Sequence, residues 1–511
     1  MGETQARRVR IDWVIVGLLA IACWLLFGHL DNGYLWQDEA ETAVLARAVV
    51  TQGYPRAYDG RSYIEITSHG YGPGESWVYS PWLPFYLLAA VFAVAGQSTW
   101  TARLPFAACG LLSLYLTWRL AGRLLPDRRV QRLSVALLIC SVPFLLHMRQ
   151  CRYYALTTVL LLGICQTYLA LLEHPRRSLA VWLSVLLVLL FHTNFGLWIP
   201  AVVAVVLHQG WWGRWQTRRW GWIGAIVVGL FTLPWAIFTY RPAFLGHVDP
   251  RRLFDHLEYY IRITNKFLLP IAAMGVSGLI VWCARRQVLM ARLWQQIRPP
   301  ARWFVILMIS AQLVFLLIPD QRHMRYLIPT LPLLVFVEAL WLVDLIQRSR
   351  LIGGMLTVLA LFTTGLQSTH WHVPLVDLGY ELTHAYTGPM EGIVAYLRAH
   401  ANPGDRVKIP YDDRTVLFYT ALTVERPSTF AEETYPEWIV LRRGWTPAAF
   451  FFGDYFRRIE ATYDRIELDA PDVYWQNRED PGSHHFATVL NAPRVILYHQ
   501  RPAAVSARMT P

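Results

Sequence analysis

The sequence predicts a polytopic α-helical membrane protein with a small C-terminal α/β domain outside the bilayer. Three observations carry that prediction. Of 511 residues, 55% are hydrophobic and only 16% charged, whereas ordinary soluble domains carry about 25% charged residues. Apolar runs of membrane-spanning length recur from residue 12 to residue 367. After residue 371 the chain turns to mixed charge and turn dipeptides, with no spanning run.

The net charge of +12 lies in short Arg clusters between apolar runs. That is the positive-inside pattern, which makes membrane lipid the partner and argues against nucleic acid. All six cysteines (Cys23, Cys109, Cys140, Cys151, Cys165, Cys283) fall within or beside apolar runs. Their placement excludes a disulfide framework or a zinc-ribbon spacing. Arg7, Arg8 and Arg10 precede a run from Trp13 to Leu30 that is too long for a signal peptide and lacks a small-x-small cleavage site. It reads as a retained first helix with a cytoplasmic N-terminus.

Counting crossings against arginines orders the rest. Helix 12–30 goes out, and 31–80, rich in Gly, Pro and Tyr, is external. Segment 81–96 is short and opened by Pro81 and Pro84. Placing the Arg119–Arg132 cluster in the cytoplasm makes 81–96 interfacial or re-entrant, with a short transmembrane helix as the rival. The expected crossings are then 103–121, 133–148, 154–172, 178–191, 195–208, 221–240, 267–283, 302–318, 327–345 and 351–367. Between 221–240 and 267–283 lies an amphipathic external loop, 241–266. With the first helix this gives about eleven crossings and an external C-terminal region. The chain thus divides into a transmembrane module, 1–371, and an α/β domain, 372–511. In the latter, 389–400 and 414–422 are expected helices, and 406–410, 438–441 and 494–498 expected strands.

Polar residues that the positive-inside bias leaves unexplained collect on the outer face. Trp36-Gln37-Asp38-Glu39-Ala40-Glu41 places three carboxylates where the first helix meets water, a costly position unless they are solvated, paired or used. Arg149, Arg152 and Arg325 run against the bias, and a phosphate or diphosphate group would explain them, since Arg binds phosphate oxygens in bidentate fashion.

Trp36-Gln37-Asp38-Glu39-Ala40, Ala46-Arg47 and Gly53-Tyr54-Pro55 resemble the start of the first external loop in GT-C glycosyltransferases. The resemblance is to the branch containing protein O-mannosyltransferases and the lipid A aminoarabinose transferase. Arg103-Leu104-Pro105-Phe106, Arg152-Tyr153-Tyr154-Ala155-Leu156 and Arg325-Tyr326-Leu327-Ile328-Pro329 fit later signatures of that branch in the same order. The resemblance spans residues 10–370. It implies inverting transfer of a sugar from a polyprenyl-phosphate donor to a hydroxyl of a lipid, glycan or protein. It further implies a bacterial cytoplasmic membrane and a periplasmic C-terminal domain.

By that resemblance Asp38 is the general base, with Glu39 beside it. Arg149, Arg152, Arg325 and Tyr326 are then the donor-phosphate candidates, Arg325 and Tyr326 matching the family's phosphate-contacting position. The chemistry agrees, since a hydroxyl is a poor nucleophile and a phosphate leaving group needs positive charge rather than an acid. One departure is clear. The aminoarabinose branch opens the next apolar segment with Glu-Lys-Pro-Pro, which supplies a metal-contacting Glu and a phosphate-contacting Lys; here the place reads Tyr79-Ser80-Pro81-Trp82. Glu75 with His69 or His192 could rebuild a divalent-metal or acceptor site, so no cofactor is assigned.

Other readings stand beside these. Asp38 and Glu39 would also suit a helix dipole, Arg149 and Arg152 would also suit snorkelling to headgroups, and His192 would also suit a polar turn; Glu41 reads as solvated. A transporter or flippase of lipid-linked sugars is the alternative function. It would carry its charges near the bilayer midplane on interrupted, repeated helices, whereas here they gather at one face.

Overall fold

The computed structural model describes residues 11–64, 71–213, 215–239, 250–280, 282–283, 299–367, 371–425, 434–474 and 481–501. Helix α1 (Trp13–Phe27) is apolar throughout and exposes Trp13, Ile21 and Trp24, as a helix facing lipid does. Within the expected external stretch, residues 37–52 form α2 (Gln37–Gln52), which is almost wholly buried. Gly53 ends it at φ +83°, a left-handed cap that glycine adopts without penalty. Then come α3 (Leu83–Ala95), α4 (Thr99–Leu124), α5 (Arg128–Cys140), α6 (Val142–Arg149), α7 (Tyr154–Glu173), α8 (Arg177–Phe191), α9 (Phe195–Trp212) and α10 (Trp215–Thr239). Ser98 caps α4 with a reciprocal Ser98–Thr101 hydrogen-bonded box.

Five helices among the described residues are long and apolar enough to cross a membrane: α4, α7, α9, α10 and Met324–Arg348. Two bent pairs raise the number to seven if each is one span. α1, α3, α8, and the later α13 (Pro300–Phe315) and α15 (Arg350–Phe362) are shorter apolar helices. α10 is the least buried of the long ones and exposes Trp222, Ile226, Leu230 and Phe231. Exposed side chains of that kind suit contact with lipid tails.

The bent pairs correct the expected straight helices. Residues 133–148 are not one helix, because α5 and α6 meet at 67°. Ser141 is extended there and Pro143 lacks the N–H that would continue the ladder. Likewise α11 (Pro250–Ile263) runs through a π-helical turn, Thr264–Leu268, and bends 96° into α12 (Ile271–Ile280). Pro270 sits at that break. Part of the expected loop 241–266 is therefore helical; residues 240–249 lie outside the described residues.

The chain then runs through α13 and two 3-10 turns, Met324–Tyr326 and Ile328–Thr330. These lead into α14 (Leu331–Arg348), α15, α16 (Pro374–Glu381) and α17 (Pro389–His400). A five-stranded mixed sheet follows: β1 (Arg406–Lys408), β2 (Thr423–Glu425), β3 (Trp438–Leu441), β4 (Tyr463–Pro471) and β5 (Arg494–Gln500), in the order β2-β1-β3-β5-β4. β1 pairs parallel with β2 and β3, and β5 antiparallel with β3 and β4. Side chains alternate across the sheet. Trp438, Val440, Val495 and Leu497 share a core with Ile393, Val394 and Leu397 of α17. Ile439, Leu441 and Tyr498 pack with Tyr455 and Ile459 of α19 (Asp454–Thr462). Burial on both faces explains the unbroken apolar run of β3.

The first of these cores is continuous with that of the helices, and it includes Leu35 and Val44 as well as Val416 and Leu417 of α18 (Asp413–Tyr419). The turn that launches α18 rests on Arg442, which is fully buried. Its guanidinium donates to Asp472 Oδ1 (2.8 Å), Asp412 Oδ2 (3.0 Å) and the Val473 carbonyl (2.7 Å). Asp412 is held at φ +62°, a strained value for a residue with a side chain. Arg442→Ala should leave two buried carboxylates without their cation and cost about 3–5 kcal/mol. Chemical denaturation of the purified protein checks this, and an unchanged midpoint would refute the role.

Candidate active site

The site begins with a packing problem at the end of α1. Residues 30–34 turn sharply between α1 and α2, leaving several carbonyls without helical partners. Arg103, on α4, collects them: Nη1 donates to the carbonyls of Leu30 (3.1 Å), Asn32 (3.0 Å) and Gly33 (3.1 Å), and Nη2 to that of Tyr34 (3.3 Å). The same guanidinium grips Glu39 in a two-pronged ion pair, Nε to Oε1 at 2.9 Å and Nη2 to Oε2 at 2.7 Å. Glu39 Oε1 also accepts the backbone N–H of Cys151 at 2.7 Å. Glu39 is fully buried. Both its oxygens are engaged, so it anchors the scaffold and does not present a carboxylate to a substrate.

Fixing Cys151 positions its neighbour. Arg152 Nη1 donates to the Asp38 carbonyl (2.9 Å), Glu41 Oε1 (3.0 Å) and Thr42 Oγ1 (3.2 Å), and Nη2 lies 3.6 Å from Asp38 Oδ2. From the 3-10 turn before α14, Arg325 Nη1 reaches Asp38 Oδ2 at 3.1 Å. Arg325 also stacks over the ring of Tyr326, 5.7 Å from its centroid. The third guanidinium comes from the C-terminal unit, where Arg414 of α18 pairs with Glu41 Oε2. Gln37 ties the same helix down, accepting the Arg414 N–H at 3.3 Å and donating to Asp413 Oδ1.

Three guanidiniums thus face two carboxylates, with Asp38 the accessible one. Its side chain is 21% exposed, against 6% for Glu41 and 0% for Glu39. Burial alone would raise the Asp38 carboxyl, but the charges of Arg152, Arg325 and Arg414 outweigh it and hold the group below its ordinary value. Asp38 is therefore ionised, and it lies in the first turn of α2, where the helix dipole favours negative charge.

The structure brings together Asp38, Arg152, Arg325 and Tyr326. It does not bring Arg149, which is buried elsewhere and donates to the carbonyls of Leu25 (2.8 Å), Leu26 (3.2 Å) and His29 (3.2 Å), closing the end of α1. Glu75 is spoken for by Arg56 (2.8 Å from Nε) and by the Tyr63 hydroxyl. His192 Nε2 lies 3.1 Å from the Phe231 carbonyl, while its own carbonyl accepts the Leu83 N–H. His69 lies outside the described residues. Among the described residues no three of His, Cys, Asp and Glu gather as metal ligands would.

Two participants escaped sequence reasoning. Glu41 is not solvated but buried and paired, because it lies one helical turn from Asp38 and shares its face. Arg414 carries no local signal in the sequence and lies 373 positions from its partner. Its arrival depends on how α18 straps onto α2. Thr415 Oγ1 donates to the Leu35 carbonyl (2.8 Å), Leu35 N–H to the Tyr419 hydroxyl (3.1 Å), and Arg47 to the carbonyls of Leu417 (3.2 Å) and Phe418 (3.3 Å).

Residues 79–238 match the family model of dolichyl-phosphate-mannose-protein mannosyltransferase. The fold is that of ArnT from Cupriavidus metallidurans, in structures with undecaprenyl phosphate bound (16% identity, TM-score 0.57) and without it (14%, 0.57). Each alignment covers 96% of this chain and 98% of that one. The oligosaccharyltransferase of Archaeoglobus fulgidus also aligns, at 12% identity and TM-score 0.52, over 86% of this chain and 70% of that one. No curated protein matches. The chain is thus similar to a mannosyltransferase family over residues 79–238, and it shares its fold with ArnT along nearly its whole length.

The Glu39–Arg103 pair yields a direct test. Glu39→Ala should strand a buried guanidinium and cost about 3–5 kcal/mol. It should also free the 150–153 turn, lowering activity by disordering Arg152. A thermal melt with an activity assay reads both. Wild-type stability with normal turnover would remove Glu39 from the scaffold.

Proposed function

We propose that the protein transfers a sugar from a polyprenyl-phosphate donor to a hydroxyl of a lipid, glycan or protein. In this reading the reaction takes place on the outer face of the bacterial cytoplasmic membrane. It proceeds with inversion, Asp38 serving as general base. The observation that carries this reading is the contact between an accessible, ionised carboxylate, Asp38, and two guanidiniums, Arg152 and Arg325. A hydroxyl acceptor needs a proton acceptor within hydrogen-bond reach, and a departing phosphate needs positive charge. Both requirements meet at one carboxylate oxygen. That a relative of the same fold was solved with undecaprenyl phosphate bound supports the donor class.

The arrangement also gives a reason for the order of events. With Arg152 and Arg325 on Asp38, the carboxylate is a weak base. A donor phosphate brings its own negative charge, and the guanidiniums turn to it. Asp38 then loses the cations that depress its basicity. The donor thus prepares the base, and an acceptor hydroxyl arriving without donor meets a carboxylate that is still neutralised. Tyr326, stacked under Arg325, keeps that side chain extended towards the site. Arg414, through Glu41, supplies the excess positive charge behind the pair.

Asp38→Asn should cut transfer by about 10²–10⁴-fold while donor binding persists. Turnover of a synthetic lipid-linked sugar against a donor titration measures the two separately, and wild-type-like turnover would sink the assignment.

Arg325→Ala should weaken donor binding by about 10–100-fold, the loss of one charged hydrogen bond. It should also change the pH profile. In the wild type the acidic limb of kcat/KM lies below the ordinary Asp value of about 3.9. Removing a cation beside Asp38 favours its neutral form, so the limb must move to higher pH. An unmoved limb together with an unchanged donor titration would take Arg325 out of the site.

A further inference from the structure

A cavity distinct from the Asp38 cluster lies in the wedge opened by the α5–α6 bend. It encloses about 140 Å³. Leu137 and Val142 of the bend, Val335 and Glu338 of α14, and Leu361 of α15 line it, and Lys266 of the π-helical turn stands at its edge. Glu338 is 3% exposed, and none of the described residues gives its carboxyl a hydrogen bond or an ion pair. Ser141 Oγ, across the bend, is likewise buried without a partner. Two unpartnered polar groups thus look into one cavity with largely apolar walls.

Its depth is informative. α14 starts at Leu331, and Glu338 lies seven residues on, about 10 Å along the axis. The cavity therefore lies toward the N-terminal end of α14, the end from which Arg325 reaches Asp38, and a lipid headgroup entering there would lead its acyl chains along the helices. An ionisable side chain inside a spanning helix marks a functional site by default, since an uncompensated charge there is costly. A carboxylate and a hydroxyl offer acceptors to a cation that bears N–H donors. Lys266, exposed at the edge, offers a cation to an anion.

We propose that this cavity holds the phosphoethanolamine headgroup of a bilayer lipid. Its primary ammonium donates to Glu338 and Ser141 Oγ, its phosphate lies on Lys266, and its acyl chains run out along the apolar walls. Headgroup and site are complementary in charge order, and no covalent step is involved. The site does not depend on the transfer reaction, and its test needs no turnover.

Native mass spectrometry of delipidated protein, titrated with phosphatidylethanolamine, phosphatidylcholine and phosphatidylglycerol, decides it. The wild type should bind phosphatidylethanolamine at least about tenfold more tightly than phosphatidylcholine, whose trimethylammonium has no N–H. Glu338→Leu, which removes the acceptor, should erase that preference, and Lys266→Ala should weaken phosphatidylethanolamine and phosphatidylglycerol together. Equal binding of the three lipids by the wild type overturns the proposal, as does an ethanolamine preference that survives in Glu338→Leu. Should that variant lose its single elution peak, the wild-type discrimination between ethanolamine and choline headgroups decides alone.

Discussion

One guanidinium, that of Arg103, sets the geometry on which the rest of the site depends. It closes four carbonyls of the turn after α1 and holds Glu39 in the same grip. A lysine could not do this, because a point charge lacks the planar fork that reaches both carboxylate oxygens at once. A buried pair of this kind gains little net stability, since desolvation offsets most of the attraction. Its contribution is position. The end of α1, the first turn of α2, the middle of the bundle through α4 and the Cys151 turn are tied to one point.

Helical geometry then does the sorting. Successive residues on a helix are separated by about 100°, so Asp38 and Glu39 cannot share a face. Once Glu39 is drawn inward, Asp38 points away from Arg103, and residues one turn on, Glu41 and Thr42, line up beside it. Arg152 reads that face in full, touching the Asp38 carbonyl, Glu41 and Thr42. Three neighbouring carboxylates therefore take three different environments: one locked, one paired, one accessible.

Much of the fold was legible because it follows from local pattern. α17 spans the expected 389–400, and β3 the expected 438–441. Apolar runs located the membrane helices, but not their bends, since a proline in an apolar run is equally compatible with a capped start and a break. β4 was missed because it is an edge strand carrying charges, which edge strands use against unwanted pairing and which mask its alternation. At the site, Asp38, Arg152 and Arg325 were legible as charges beside the ends of apolar runs. Arg149 looked the same in sequence and proved to cap α1. The difference lies in which way a bent α6 points its last turn, and no local signal records that.

The least legible part, the reach of the C-terminal unit into the site, changes how the chain should be divided. By composition residues 372–511 stand apart, and by contact they wall the cluster of charges around Asp38. α18 meets α2 through Gln37 and Arg47 and the segment before it through Leu35, and Arg414 touches Glu41. A domain joined by a flexible linker would let the charge balance around Asp38 vary with its position. Here the shared core, from Val44 to Val416, fixes it. The balance of three guanidiniums against two carboxylates is thus a property of the whole chain. The charges collect at one end of the helices, and the C-terminal unit completes them.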